Sequence, residues 1–240
     1  MKIFVNMKGK LYLIPSTIGD TPIEEVIPSY NRSVINQIRY YIVENERTAR
    51  RSLLKMGIKT AIDDLIFFIL NKHTLKENIP EFLKHAETND LGLLSEAGVP
   101  AVADPGSEVV ALAHKKNIKV IPLIGPSAIL LAIMASGLNG QNFAFTGYLP
   151  VHKADRVNRI RQIEQRSKAE KQSQLFIETP YRNNQLLADI LHTCASTTQL
   201  CIATDITTTD QYIKTMCISD WEKNKPDLNK RPTIFILHRF

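Results

Sequence analysis

Along the first 140 residues, short apolar runs alternate with helix-patterned stretches, and corners of proline, glycine and small residues join them. Residues 11–14 stop at Pro15. Residues 40–43 lead into a helical stretch at 46–56 that Gly57 ends. Residues 91–94 run through Ser95-Glu96-Ala97-Gly98 to a helix over 105–115. Residues 118–121 run through Pro122-Leu123-Ile124-Gly125-Pro126-Ser127-Ala128 to a helix over 126–136, closed by Gly137. Strands and helices alternating in this way predict right-handed βαβ units and a mostly parallel sheet. Strands this apolar throughout fit a sheet covered on both faces. Residues 61–70 fit either a helix or a buried strand, and 80–86 read as a helix that begins with proline.

Beyond Asn142 the pattern changes. A strand at 143–146, a turn at Gly147-Tyr148-Leu149-Pro150 and a long charged helix over 154–171 are followed by a strand at 175–178 and a helix at 183–192. Three β-rich runs come last, at 200–204, 212–218 and 233–237. The β-branched run Ile206, Thr207, Thr208, Thr209 favours extended chain. The fold class expected is therefore α/β in two domains. Residues 1–140 form the N-terminal domain with a mostly parallel sheet, and residues 141–240 the C-terminal domain with a mixed sheet.

Hydrophobic residues make up 44% of the chain, enough for a substantial core. The longest apolar run, 128–135, is well short of the roughly 18 residues that a membrane span needs. Residues 1–6, followed by Lys8 and Lys10, have neither the apolar stretch nor the cleavage site of a signal peptide. These features predict a cytoplasmic protein that does not enter a membrane. Cys194, Cys201 and Cys217 show no paired spacing, so they read as free thiols rather than disulfides or zinc ligands. A net charge of +6 raises the prospect of a polyanionic partner. One basic cluster contains Arg32, Arg39, Arg47, Arg50, Arg51 and Lys55. Another contains Lys153, Arg156, Arg159, Arg161, Arg166, Lys168 and Lys171. The second, with Glu164 and Glu170 interleaved, fits a solvated helix face and a nucleic-acid face equally well.

Five segments carry candidate chemistry, all at strand ends, where open α/β sheets bind ligands. Pro15-Ser16-Thr17-Ile18-Gly19-Asp20 is a tight turn offering backbone amides. Asp104, before Pro105-Gly106, reads as a helix N-cap with proline at the first helical position. It also reads as the brace of a loop that presents its backbone to a nucleoside-like ligand. Gly125-Pro126-Ser127-Ala128 lets a ligand approach a helix start, but it is neither a dinucleotide fingerprint nor a phosphate loop. Glu178 and Arg182, four apart, form either a surface pair or the lining of a ligand site. Glu44-Asn45-Glu46-Arg47 places carboxylates and a guanidinium at a sheet edge. No nucleophile–base pair and no metal set accompany them, which suits group transfer from an activated donor, where positioning dominates.

The order of these segments resembles the tetrapyrrole methylase superfamily of S-adenosylmethionine-dependent methyltransferases. More narrowly, it resembles the bacterial enzymes that methylate a ribose 2′-hydroxyl in small-subunit ribosomal RNA. The resemblance runs from about residue 9 to 239. It implies S-adenosylmethionine as cofactor, held in a cleft between two α/β domains. Contacts are expected from Pro15, Val102, Ala103, Asp104, Ser107, Ser127 and Ala128, and from the strand ends at Glu178 and Ile206. It also implies a ribosomal RNA or small-subunit partner and a homodimer. Glu44 would orient the acceptor hydroxyl or take its proton, while Arg47 and Arg182 would hold substrate phosphate or carboxylate. Two departures stand out. Glu44-Asn45-Glu46-Arg47 replaces the usual Glu-Asp-Thr-Arg, and Thr204-Asp205-Ile206-Thr207-Thr208 replaces Arg-Glu-Leu-Thr-Lys. The lost arginine and lysine would be natural phosphate contacts. Three readings follow: an RNA ribose methylase, a same-fold enzyme acting on a tetrapyrrole or other small anionic acceptor, and a non-catalytic cofactor- or RNA-binding relative.

Overall fold

A computed structural model of the chain describes residues 9–71 and 74–240, so the reading of residues 1–6 as lacking a leader lies outside it. Contacts divide the chain into two compact units, Met1–Pro126 and Ser127–Phe240. The division falls ahead of the boundary at residue 140 expected from sequence.

The first unit holds strands β1 (Lys10–Ile14), β2 (Tyr40–Val43), β3 (Ile66–Ile69), β4 (Leu91–Leu94) and β5 (Lys119–Pro122). They form one sheet in the order β3-β2-β4-β1-β5, and every pairing is parallel. Its helices are α1 (Ile23–Val26), α2 (Ser29–Ile35), α3 (Glu46–Lys55), α4 (Ile79–Phe82) and α5 (Ser107–Lys115). Two apolar clusters cover the sheet, one centred on Ile14, Tyr41 and Leu53 and the other on Leu11, Ile42, Leu83 and Val109. Double coverage explains why β4 is buried at every position. The ambiguous 61–70 segment resolves as a short 3₁₀ turn at Ile62–Asp64 followed by β3. The 80–86 segment splits into α4 and a 3₁₀ stretch at Leu83–Glu87.

The second unit holds α6 (Ala128–Ser136), β6 (Phe143–Tyr148), α7 (Lys153–Glu170), β7 (Ser173–Ile177), α8 (Asn183–Thr193), β8 (Gln199–Thr204), β9 (Tyr212–Cys217), α9 (Ile218–Trp221) and β10 (Thr233–His238). Its sheet runs β6-β7-β10-β8-β9. The β6–β7 pair is parallel and the other three pairs are antiparallel, so the sheet is mixed as expected. Trp221, fully buried, anchors the core by donating its indole N–H to the Leu200 carbonyl at 2.8 Å. Helix α6 belongs here because Ala132 and Ile133 pack with Leu175, Cys201, Ala203 and Ile236. Among the described residues, no helix is long and apolar enough to cross a membrane.

Candidate active site

In the first unit, β2 and β4 are neighbours, with Val43 opposite Leu94. The chain leaves β2 toward β3 on one side of the sheet, and leaves β4 toward β5 on the other. Neighbouring strands whose connections diverge open a crevice beyond their carboxyl ends, and that is where such sheets bind ligands. Glu44 is the first residue past β2, and Ser95 the first past β4.

The corners around this crevice are tied together. The Ser16 N–H donates to the Gly98 carbonyl at 2.9 Å, and its hydroxyl donates to the Ser95 carbonyl at 2.7 Å. The Ser95 hydroxyl in turn donates to Asp104 Oδ2 at 2.6 Å and accepts the Ala97 N–H at 3.2 Å. From the α3 side, the Thr48 hydroxyl donates to Glu96. Gly125 packs directly on Pro15, where an added Cβ would fall 2.2 Å from the proline ring. Only glycine permits that approach.

The expectation that Asp104 caps a helix is corrected. The helix starts two residues later, at Ser107, and its N-cap is Gly106 at φ 131°, a backbone state reserved for glycine. The Asp104 carboxylate is engaged instead by Ser95, nine residues upstream. The carboxylate thereby ties its loop to the corner after β4. Ala101 and Ala103 also lie in the left-handed region, at φ 64° and 62°, a conformation that non-glycine residues hold only where surroundings enforce it. Val102, between these bends, and Ala103, at the second, are exposed, as is Ser107 at the start of α5, whereas Pro15 is buried.

The electrostatics follow from the geometry. Burial first, then the neighbouring Asp104 and Glu96 carboxylates, raise the Glu44 pKa from its usual 4.5 to about 7. Asp104 is also raised, chiefly by burial and further by Glu96, while the Ser95 hydrogen bond opposes the rise. Asn45 caps α3 by accepting the N–H groups of Arg47 and Thr48 at 2.9 and 3.2 Å. Asparagine caps a helix as well as aspartate does, so this departure preserves the corner. Arg47 is exposed on the first turn of α3.

In the second unit, Ser127 is the N-cap of α6, and Ala128 packs into the same apolar cluster as the buried Ile206. Asp205 and Thr207, on either side of Ile206, sit at φ 50° and 74°. Arg231 fixes this turn by pairing with Asp205 and donating to the Asp210 carbonyl at 2.8 Å. Thr204 is buried, its hydroxyl donating to the Pro232 carbonyl at 3.1 Å. Thr208 donates to the Asp205 carbonyl at 2.9 Å. The two threonines that stand where a charged pair was expected are thus turned to local hydrogen bonds. Glu178, just past β7, is buried and pairs with Arg182 at 2.6 Å.

The basic clusters are only partly available. Arg156 is buried and bound to Asp189 at 2.6 Å, and it donates to the Val151 carbonyl at 2.6 Å. Arg32 donates to the Met56 carbonyl at 3.0 Å, and Arg50 is taken by Glu46 and Asp63. Arg161 and Lys168 remain exposed on α7. Burial raises the thiol pKa of both Cys194 and Cys201, which removes both as nucleophiles.

The sequence named the segments that hold Ser16, Ser95 and Glu96 but not the side-chain bonds these make, and it gave no sign of Thr48. The signal available was the placement of two serines and an acid at strand-end corners. Which partner each one meets depends on strand order.

The fold is that of the tetrapyrrole methylases. The crystal structure of the methyltransferase CobJ matches 96% of this chain and 94% of its own, with a TM-score of 0.63 at 14% identity. The uroporphyrin-III C-methyltransferase from Thermus thermophilus, solved with S-adenyl homocysteine, matches 96% of this chain and 98% of its own, with a TM-score of 0.54 at 14% identity. At 14% identity these likenesses show the fold alone. The chain's curated relatives include the protein named ribosomal RNA small subunit methyltransferase I of Halalkalibacterium halodurans, 34% identical over 77% of this chain and 60% of that protein. The protein of the same name from Vibrio cholerae is 26% identical over 96% of this chain and 77% of its own length. No protein-family profile matches the chain.

Proposed function

We propose that the protein transfers a methyl group from S-adenosylmethionine to a ribose 2′-hydroxyl of small-subunit ribosomal RNA. In this reading it works as a homodimer in the cytoplasm. The observation that carries the reading is Glu44 at the β2–β4 divergence, half-buried and lifted to about 7 by burial, Asp104 and Glu96. A carboxylate tuned near neutrality accepts a hydroxyl proton more readily than an ordinary glutamate and still ionises at working pH. When bound, S-adenosylmethionine supplies a methyl group on a sulfonium, activated enough that alignment carries much of the acceleration.

The chain's residues supply the rest. In the first unit, Val102, Ala103, Asp104 and Ser107 are the residues offered to the cofactor. The fit in the first unit rests on exposed small residues between two left-handed bends, with a carboxylate held at their end by Ser95. Glu44 takes the hydroxyl proton as the oxygen attacks, and Arg47, exposed on the first turn of α3, is offered to an acceptor phosphate. The curated relatives, which carry a ribosomal RNA methyltransferase name, support this choice of acceptor.

The test uses labelled S-adenosylmethionine and small ribosomal subunits from a strain lacking the protein. Label should enter the RNA at one ribose, and Glu44→Gln should reduce turnover by about 100-fold or more with cofactor affinity intact. Full turnover by Glu44→Gln would remove it from this role. Cofactor binding without RNA labelling would shift the reading to a small anionic acceptor.

A further inference from the structure

The carboxylate of Glu178 is almost wholly buried, with 1% of its side-chain surface exposed, whereas its partner Arg182 shows 32%. One oxygen, Oε1, accepts the Thr179 N–H and one Nη2 hydrogen of Arg182, each at 2.6 Å. The other, Oε2, has no hydrogen-bond partner among the described residues, and neither has the buried Nε of Arg182. Buried groups left short of partners are unfavourable, so stability alone does not account for a carboxylate here. The same turn is held from outside. The Lys230 N–H donates to the Pro180 carbonyl at 3.1 Å, and the Asn183 side-chain Nδ2 donates to the Arg231 carbonyl at 2.7 Å. The backbone of residues 180–183 is therefore fixed, and the remaining freedom lies in the Arg182 side chain. Glu178 grips one edge of that guanidinium. The exposed part of the side chain is left as a preset donor, the geometry in which arginine recognises phosphate. Tyr181, 75% exposed, stands beside it and offers the aromatic face that unstacked RNA bases favour.

We propose that Glu178 is a positioning residue for Arg182 rather than a cofactor contact, and that it presets the guanidinium for a backbone phosphate of the RNA acceptor. This rests on the RNA reading above. The test measures S-adenosylmethionine affinity by calorimetry, affinity for small-subunit ribosomal RNA, and acceptor KM and kcat. The variants are Glu178→Gln, Arg182→Ala, Arg182→Lys and the double variant Glu178→Gln/Arg182→Ala. Glu178→Gln and Arg182→Ala should each weaken RNA affinity and raise acceptor KM by about tenfold, as expected for one charged hydrogen bond. Cofactor affinity should stay unchanged, and the double variant should be no worse than Arg182→Ala. Arg182→Lys should not restore KM, because an ammonium is not a planar fork that Glu178 can hold on one side while the other side meets phosphate.

A loss of cofactor affinity in Glu178→Gln that is absent from Arg182→Ala would overturn the proposal, as would additive losses in the double variant. If Glu178→Gln does not fold, Glu178→Asp takes its place, with the same outcomes read from it. If wild-type protein labels no RNA, the acceptor reading fails by itself. The Glu178–Arg182 coupling is then read from RNA affinity alone, where equal weakening supports it and unchanged binding overturns it.

Discussion

The carboxyl of Glu44 keeps its proton longer than an exposed glutamate because burial removes water from the charged form and two further carboxylates stand nearby. Two consequences have opposite signs. As a base, Glu44 works only when ionised, so kcat/KM should rise with pH through a midpoint near 7. For stability, the folded state still holds this proton between pH 4.5 and about 7, while the unfolded chain has released it. Glu44 therefore lowers stability progressively as pH rises through that window, and the loss levels off above it. In Glu44→Gln the limb near 7 should vanish from the residual rate, and denaturant melts across pH 4.5–7 should show a flatter slope. A limb that persists in the variant would assign the midpoint to another group. The acid itself was legible from its place after an apolar strand. Its tuning was not, because Asp104 lies 60 residues away and reaches it only through strand order and the Ser95 hydroxyl.

The corner following β2 shows how a departure from an expected pattern can leave an element intact. Asn45 accepts two amide hydrogens of α3, and the helix buries Ala49 and Leu53 against the sheet. Asn45→Asp should leave stability within about 0.5 kcal/mol, since both residues cap equally. Asn45→Ala should cost about 1 kcal/mol, read as a shift of the chemical-denaturation midpoint at constant slope. An equal loss in both variants would mean that the amide nitrogen matters and the cap does not. Strands bounded by proline and glycine were readable at this scale because those residues restrict the backbone itself. Helix α6 was readable as a helix but not as part of the second unit. Its sequence, Ala128–Ser136, is apolar on nearly every face, and such a helix does not announce which sheet it will cover.

For the molecule as a whole, the +6 charge overstates the basic surface. Arg156 looked like part of a basic helix face, yet it is buried in α7 and clamps α8 through Asp189. Spacing alone could not show this, because the acid that claims it sits on another helix. Arg156→Ala should cost about 3–5 kcal/mol, the usual result of stranding a buried charge. Arg161→Ala should stay within about 0.5 kcal/mol and instead reduce RNA affinity and its salt dependence. Thermal melts and binding at two salt concentrations separate the two, and equal stability losses would refute the distinction.

The left-handed alanines at 101 and 103 bear on how freely their loop can move. Glycine would sit in those bends without strain, but it would also give the empty loop many more shapes to wander among. Alanine tolerates fewer, and the hydrogen bonds from Ser16 and Ser95 hold the flanking chain in place. A loop whose bound shape is already its resting shape surrenders little conformational freedom when a ligand arrives. In the proposed cofactor reading, the entropy of ordering this loop is therefore spent during folding rather than at the encounter.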